Sequence, residues 1–484
     1  MIDDRRPVLI GVGVASQRCD DPTEAVEAVE LMRRAFDASI LDCGAPSIAD
    51  RVDEIIVPEG IWRYGDPGRL VLDGRSPDAR TVVADIGVVQ QSVFSRAASA
   101  IAAGELDVVA VVTGEAKYRS LRARILGVAA PETSMTVEPD VRLRPALDVI
   151  PDLEIHRALP APTHQYAVME SAIRAASGRT PTEHARHVAE LVARFSRVAE
   201  SNPAAWTRTP MTADAVLAAP MVAEPYTKPC CSQWNVDQAS ALLLCSAATA
   251  RALGISADRW VFPLAGAESN LMVPLSERGE LHRSPAVAAV GAALTDAAGI
   301  APGDAALREI YSCFPAAVQI QCAELGIDID IDGDLTVTGG MHFAGGPLNS
   351  FSLQALAALV PTLRERHDEV ALVTSVSGMM TKFGAGLWSA SPNDVFRSID
   401  VTESARAATA TRVVDGDAVG TAVVVGSTVG YVHGDATEAV VIADVSSGTR
   451  AVAVSRDAEV IAAFRGEEWV GRSVMVDCPV LRLG

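Results

Sequence analysis

The sequence predicts an α/β protein of two similar halves, followed by a small β-rich domain. Valine-rich runs alternate with helical patterns over most of the chain, which is typical of α/β folds. A nearly apolar helix directly before a valine-rich strand occurs twice, within 92–116 and within 349–378, which indicates an internal duplication. After about residue 401 the pattern changes to short β-type stretches separated by Gly, Asp and Ser turns.

The first half begins with an apolar run, 7–14 (PVLIGVGV), which is too short for a helix and is typical of a strand buried on both faces. A helix is predicted over 22–39, with a proline and acidic residues in its first turn. Strands are predicted at 52–60 and 106–116, and a helix at 92–105. We therefore expect a largely parallel sheet covered by helices.

Residues 118 to about 215 interrupt this alternation and predict an inserted subdomain above the sheet. Within it, 181–201 has a clear amphipathic pattern and predicts a helix. His184 and His187 share one side of this helix at a spacing that would suit a metal pair. Because no third ligand is evident, we interpret them as part of a solvated helix face and predict no metal site.

The second half repeats the pattern from about residue 284. Its helix at 349–365 has hardly any polar side, which is expected if it lies between two sheets. Glycines at 340, 345 and 346 come just before it, and such glycines allow the backbone to approach another group closely. A ligand is one candidate for the group that the backbone approaches here.

These changes predict three domains. The first half covers 1–255 and includes the loop subdomain 118–215, the second half covers 256–400, and the additional β-rich domain covers 401–484. The last segment holds seven arginines against eleven acidic residues, a net charge of −4, which argues against a barrel that binds nucleic acid.

Charge and composition exclude several classes of function. A net charge of −20 is unsuited to nucleic acid or an anionic membrane as partner. Apolar runs stay below the ~18 residues of a membrane span, and the N-terminus lacks the pattern of a signal peptide. The eight cysteines have no CxxC spacing and are interpreted as reduced thiols. We therefore expect a cytoplasmic protein.

Lysine is rare: Lys117, Lys228 and Lys382 stand against 38 arginines. A GC-rich genome would explain the bias. All three nevertheless lie in motif-like stretches, GEAKYRS, PYTKPCC and MMTKFG. A lysine kept where arginine would serve as a surface charge suggests a ligand-facing role, and Lys228 is the candidate for binding a ligand.

Four stretches together resemble the thiolase superfamily: AAGELDVVAVVTGEAKYRS, PYTKPCCSQWNVDQASALLLCS, EIYSCF and GGMHFAGGPLNSFSLQALA. The resemblance covers the whole chain and is greatest to the thiolase-like proteins of type 1, often catalogued as acetyl-CoA acetyltransferases, which carry an additional C-terminal domain. It implies a five-layer αβαβα fold, a loop domain above the active site, and coenzyme A or acyl-CoA as ligand or substrate, with no other cofactor. It also implies dimerisation through an edge strand of the core, or a small partner protein.

The chain departs from the thiolase pattern at each catalytic position. The nucleophilic cysteine would fall near Gly87, where there is no cysteine, and the histidine of the Gly-His-Pro turn corresponds to Gly346. Tyr311 replaces the Asn or His of a third motif, and the second catalytic cysteine corresponds to Ser375. Claisen condensation needs one thiolate to hold the acyl group and a second thiol to move a proton, so ordinary thiolase turnover is not expected.

Backbone groups at the same places can still bind an acyl-CoA. Amides around Gly87 and Gly378 would polarise a thioester carbonyl. Gly340, Gly345 and Gly346 would let the backbone approach a pantetheine arm. Hydroxyls of Ser375 and Ser377 are further candidate donors to a bound thioester, although serine in a tight loop commonly satisfies nearby backbone.

Three side chains offer alternative chemistry. Tyr311 with a lowered pKa would act as the base of a carbon–carbon lyase, a retro-aldolase, on a β-hydroxyacyl-CoA. Cys313 is a candidate for a relocated nucleophile, against the commoner role of a buried thiol as a small apolar residue. His342 is a candidate for the missing histidine, against a structural role. The resemblance itself favours an acyltransferase-related function. Besides the lyase, the other alternative is a non-catalytic scaffold that binds CoA.

Overall fold

The structure, a computed structural model, describes residues 2–330, 334–446 and 448–483. The strands are β1 Pro7–Gln17, β2 Glu54–Pro58, β3 Arg80–Ala84, β4 Val108–Ala116, β5 Val141–Leu143, β6 Met221–Ala223, β7 Tyr226–Thr227, β8 Asp237–Ser246, β9 Phe262–Ser269, β10 Leu307–Glu309, β11 Val370–Ser377, β12 Lys382–Ser389, β13 Arg397–Asp400, β14 Val419–Val432, β15 Asp435–Val445, β16 Arg450–Ser455, β17 Ser473–Asp477 and β18 Val480–Arg482. The helices are α1 Ala28–Cys43, α2 Pro67–Leu72, α3 Gln90–Ala103, α4 Lys117–Leu126, α5 Asp152–His156, α6 Pro162–Ser177, α7 Pro181–Ser201, α8 Ala213–Leu217, α9 Ala247–Ala252, α10 Pro285–Ala298, α11 Pro315–Leu325, α12 Gly340–Phe343, α13 Phe351–Glu365, α14 Thr402–Ala408 and α15 Ala458–Phe464. Among these described helices, none is long and apolar enough to cross a membrane.

Two mixed sheets form the core, one from each half of the chain. The first has the order β1-β8-β4-β2-β3-β5 and the second β10-β11-β12-β9-β13. The expectation of a largely parallel sheet is wrong in the middle of both, because β8 is antiparallel to β1 and β4, and β12 to β11 and β9. Only four residues, 378–381, join β11 to β12. A parallel crossover needs a dozen or more residues, so this connection has to be a hairpin.

The two nearly apolar helices, α3 and α13, lie between the sheets. Side chains of α3 such as Phe94 and Ile101 share one buried cluster with Leu356 and Val360 of α13. The N–H of Ser352 donates to Gln90 Oε1 at 2.7 Å and joins the two helices. With α1 against the outer face of the first sheet and α10 against that of the second, the layers are αβαβα. The predicted thiolase-like five-layer fold is confirmed.

The first helix begins six residues later than predicted, at Ala28 instead of residue 22. Asp21 accepts hydrogen bonds from the N–H and the hydroxyl of Thr23, at 2.9 and 2.7 Å. The Gln17 amide pairs with both backbone groups of Val26. These local bonds give the segment an alternative to the helical ladder, and a proline–acid pattern does not reveal them.

The C-terminal segment forms a closed five-stranded barrel, as predicted. The strand order is β14-β15-β16-β18-β17, and β17 pairs back onto β14. Alanine and valine side chains fill the interior, among them Ala422, Val441 and Val474. The short hairpin β6–β7, which follows the insertion, extends this sheet through Gly430 and Ala223, so the barrel is joined to the core by backbone pairing.

The structure predicts a monomer in solution. Strand β5 of the insertion pairs in parallel with β3, from Val141 to Leu143, and so covers the outer edge of the first core sheet. The strand left at that edge has three residues, too few for an extended intermolecular sheet. Light scattering after size exclusion should give about the chain mass of 50.7 kDa at micromolar concentration. Twice that mass would contradict the prediction.

Candidate functional site

A cavity of about 490 Å³ lies between the N-terminus of α6, residues 228–234, residues 311–314 before α11, and the turn from β11 to β12. Its surface is mainly apolar, with contributions from Tyr166, Phe314 and Met341. The candidate residues from the sequence that line it are Lys228, Tyr311, Cys313, Gly346, Ser377 and Gly378. The structure does not place Gly87, Gly340, His342, Gly345 or Ser375 in the lining.

Tyr311 lies on the cavity wall, but its pKa is shifted in the direction opposite to the one expected. Its backbone N–H donates to Thr374 Oγ1 at 2.7 Å, which fixes the segment after β10 against β11. Burial raises the pKa of the Tyr311 phenol well above its ordinary value of 10, and a hydrogen bond with Gln90 offsets this only in part. The expected lowered pKa is therefore wrong. A neutral Tyr311 donates hydrogen bonds and does not act as a base near neutral pH.

The thiols of the cavity are also protonated near neutral pH. Burial raises the pKa of Cys313 to about 12, although its hydrogen bond with Tyr166 lowers it slightly. Burial likewise raises the pKa of Cys231, which lines the same cavity, to about 12, and that of Cys230 to about 11. Since the thiolate is the nucleophile, the environment gives Cys313 no activation as a relocated nucleophile.

The two candidate serines bond to the protein backbone. The hydroxyl of Ser375 accepts from Gln91 N–H and donates to Gly384 O, both at 3.2 Å. The hydroxyl of Ser377 donates to Gly87 O at 3.1 Å, and the buried Lys382 ammonium donates to the same oxygen at 3.0 Å. Ser375 therefore ties β11 to α3 and β12. The Ser377 hydroxyl and the Lys382 ammonium together fix the carbonyl of Gly87, which precedes α3.

The turn between β11 and β12 is in the left-handed region for three residues in succession: φ is +58° at Gly378, +49° at Met379 and +70° at Met380. Non-glycine residues rarely adopt this region, so the turn is strained and has to be held by its surroundings. Arg278 holds it, since its Nη2 donates to Gly378 O at 3.1 Å. Burial lowers the pKa of the Arg278 guanidinium to about 10.

The glycine-rich turn before α13 packs mainly against other segments of the protein, and only a small part of it lines the cavity. Gly340 has φ +68°, and a Cβ there would lie 2.7 Å from the Phe195 ring. Gly345 has φ +110°, and a Cβ there would overlap the Gln238 amide. His342 is buried against Phe195, with ring centroids 5.8 Å apart, and burial lowers its pKa to about 4. In this turn the close approach is mainly of backbone to α7 and β8, and Gly346 alone of these four lines the cavity.

One of the three lysines lines the cavity, and a second contacts a residue of its lining. Lys228 lines it directly. The ammonium of Lys117 lies 3.8 Å from the ring centroid of Trp234, whose indole also lines the cavity and is 44% exposed. Such a lysine is held by the face of the ring and stays accessible.

The expectation that His184 belongs to a solvated helix face is wrong. His184 Nε2 lies 2.6 Å from Glu170 Oε1, and both side chains are fully buried. Glu170 also accepts from Tyr226 OH at 2.5 Å and from Gln319 Nε2 at 2.6 Å. Burial alone would raise the pKa of Glu170, but these donors together lower it. The amphipathic pattern of α7 places His184 at the edge of the apolar stripe and does not show its buried acidic partner.

Sequence reasoning missed Tyr166 and Arg278. Tyr166 faces the cavity from α6 and stacks on Phe314, with ring centroids 4.7 Å apart. Arg278 holds the strained turn through its hydrogen bond to Gly378 O. Neither lies in one of the motif-like stretches, and Arg278 is one of 38 arginines, so the sequence contains no pattern that singles them out.

Known proteins show the same architecture. No model of a protein family matches the chain. Over 201 residues it is 27% identical to the acetyl-CoA acetyltransferase of Methanothermobacter thermautotrophicus, which covers 38% of this chain and 51% of that enzyme, so about half the length of this curated relative is matched. The crystal structure of a monomeric SCP2-thiolase like protein type 1 from Mycobacterium smegmatis has a TM-score of 0.82 and 26% identity, covering 99% of this chain and 98% of that one.

Two more distant structures share the fold alone. The dimeric peroxisomal thiolase of Saccharomyces cerevisiae has a TM-score of 0.56 and 15% identity, and the Ltp2-ChsH2(DUF35) aldolase a TM-score of 0.58 and 19% identity. Each covers 80% of this chain and 98% of its own.

Proposed function

We propose that this chain, which has a thiolase-like fold and is similar over its whole length to the SCP2-thiolase like protein type 1, binds an acyl-CoA of lipid metabolism in the cavity without ordinary thiolase turnover. The observation that carries the proposal is a mainly apolar cavity with the exposed Lys228 in its lining and with Lys117 held on the ring of Trp234, another lining residue. An acyl-pantetheine arm is long and largely apolar, and the nucleotide at its other end carries phosphates. The cavity suits the first, and the two ammonium groups suit the second.

The absence of thiolase turnover follows from the protonation of the cavity thiols. Ping-pong acyl transfer requires a thiolate that holds the acyl group, and the pKa of Cys313 and of Cys231 is about 12. The positions that carry the catalytic cysteines and histidine in thiolases correspond here to Gly87, Ser375 and Gly346. What remains is a set of neutral donors: the hydroxyls of Tyr311 and Tyr166 and the backbone of the turn at Gly378, which suit a thioester carbonyl.

The test combines binding with turnover. Calorimetric titration of the intact protein with CoA and acetyl-CoA should show saturable binding, and acetoacetyl-CoA with CoA should give no thiolysis above the uncatalysed rate. Thiolysis by the wild type that is lost in Cys313→Ser would show that the pKa argument is wrong. No binding of either ligand would reject the proposal and leave only the fold.

A carbon–carbon lyase is a second candidate, favoured by the two tyrosine hydroxyls at the cavity. In retro-aldol cleavage of a β-hydroxyacyl-CoA, the β-hydroxyl gives its proton to solvent and becomes the carbonyl of one product as the bond between the α and β carbons breaks. The electrons of that bond form the enolate of the acyl-CoA, which then takes a proton from water. Since burial keeps Tyr311 protonated, its part would be to donate a hydrogen bond to the enolate oxygen. Cleavage that is lost in Tyr311→Phe, or a small protein that co-purifies with activity, would favour the lyase. Binding without any turnover would favour a non-catalytic acyl-CoA scaffold.

A further inference from the structure

The C-terminal barrel has the strand order of an OB-fold. Its five strands follow the closed order 1-2-3-5-4, as β14-β15-β16-β18-β17, with β16 and β18 parallel. Helix α15 lies between the third and the fourth of these strands. Domains of this fold bind their ligands mainly on the face of the second and third strands, here β15 and β16.

That face is covered by the rest of this chain. Alternate side chains of β15 and β16 point to opposite sides. Val441 and Ala453 belong to the interior of the barrel. Val440, Ile442 and Val452 on the other side belong to the main hydrophobic core of the protein, and each is at most 1% exposed. The face that would hold a ligand in a free barrel therefore docks the barrel onto the thiolase-like body.

One docking contact reaches the wall of the cavity through α6. Strand β14 approaches α6 so closely that a Cβ at Gly426 would lie 2.7 Å from Val168 Cγ1. The N–H of Ser427 donates to Ser171 Oγ at 2.9 Å. Arg174 of α6 makes two hydrogen bonds to Glu468 of the barrel, at 2.8 and 3.1 Å. The same helix carries Pro162, Thr163 and Tyr166 into the cavity.

A second contact reaches the strained turn. Arg450 of β16 is fully buried and donates to Asp444 Oδ1 at 2.7 Å and to the carbonyl of Arg278. Arg278 in turn donates to Gly378 O. The barrel therefore supports both the Tyr166 wall and the left-handed turn, and these two elements come from different halves of the body.

We propose that the C-terminal barrel is the internal support of the cavity: it docks through its β15–β16 face, fixes α6 and the Gly378 turn, and couples its own docking to ligand binding. The ligand part of this inference rests on the proposed acyl-CoA function. The support of α6 and the Gly378 turn by the barrel does not rest on that function, because it concerns only how often the cavity wall opens.

The test is site-resolved labelling of Cys231 and Cys313 in the intact protein. These thiols report opening of the cavity wall whether or not a ligand binds. Iodoacetamide labelling followed by mass spectrometry is compared for wild type, Arg174→Gln, Gly426→Ala and the control Arg456→Gln. The control removes an arginine–glutamate pair of the barrel whose arginine is mostly exposed, since the Arg456 side chain is 73% exposed and pairs with Glu438. We expect labelling of the two cavity thiols to rise about tenfold in Arg174→Gln and Gly426→Ala and to stay at the wild-type rate in the control.

Acetyl-CoA affinity is then measured on the same proteins. We expect it to fall about tenfold in the two docking variants and to be unchanged in Arg456→Gln. Wild-type labelling rates in both folded docking variants would overturn the proposal, as would an equal rise in the control. If the wild type binds no acetyl-CoA, the proposed function fails, while the labelling rates still decide whether the barrel supports the cavity. Gly426→Ala adds only one methyl group and keeps the test available if Arg174→Gln does not fold.

Discussion

Replacing Glu170 by alanine is expected to lower the free energy of unfolding by about 3–5 kcal/mol, since each of two buried donors left without an acceptor costs about 1–3 kcal/mol. The carboxylate is fully buried on α6 and accepts from His184, Tyr226 and Gln319 at 2.5–2.6 Å. Its loss leaves His184 Nε2 and Gln319 Nε2 without their acceptor, removes one hydrogen bond of the Tyr226 hydroxyl and opens a gap beside the stacked rings of Phe314 and Tyr226. Urea unfolding at pH 7 followed by circular dichroism measures the difference.

The pH dependence of that difference has a definite sign. The pKa of Glu170 in the folded protein is below its ordinary value of 4.5. The ionised carboxylate therefore contributes its full stability above about pH 4.5, and the contribution is lost as the pH falls through the folded-state pKa. The gap between wild type and Glu170→Ala should narrow below pH 4.5.

Glu190→Ala is the matched control. Glu190 pairs with Arg186 on the exposed side of α7, so its removal should leave the unfolding midpoint unchanged. A Glu170→Ala variant as stable as this control would show that the buried cluster contributes nothing to the fold.

The sequence predicts the layers of this protein because they depend on local patterns. Helix α13 has apolar residues on nearly every side, and only a position between two sheets accommodates such a helix. Much of the barrel is predictable for a similar reason, because short β-type stretches between turns form hairpins with their neighbours, as β14–β15 and β15–β16 do. Strand direction in the middle of the sheets is different, since it depends on connections such as 378–381 that the strand patterns do not contain.

The candidate site is less predictable because burial decides its chemistry. The motif around Tyr311 identifies a cavity residue, but its raised pKa comes from burial by other segments, which the hydrogen bond with Gln90 offsets only in part. Gly340 and Gly345 carry the pattern expected of backbone close to a ligand, and the same pattern serves their approach to Phe195 and Gln238. Tyr166 lines the cavity and Arg278 holds the turn at Gly378 only through the docking of distant elements, which no local pattern records.

Lys228→Ala is expected to weaken binding of acetyl-CoA about tenfold, or by about 1.4 kcal/mol. Lys228 lines the cavity mouth, and its loss removes positive charge where the nucleotide phosphates would lie. An ammonium at the rim acts through an interaction that salt screens, so the difference from wild type should shrink as the salt concentration rises. Calorimetric titrations at low and high salt measure both effects.

One variant separates charge from shape at this position, and a second removes a cation elsewhere as the control. Lys228→Arg keeps the charge and should retain most of the affinity at low salt, while Arg366→Ala removes an exposed cation near the C-terminus of α13 and should leave binding unchanged. A tenfold loss in Lys228→Arg as well would indicate that a compact ammonium is required, as the scarcity of lysine in this chain suggests. Unchanged affinity in Lys228→Ala at low salt would mean that the phosphates lie elsewhere. The proposal would then rest on the apolar cavity and on Lys117 beside Trp234.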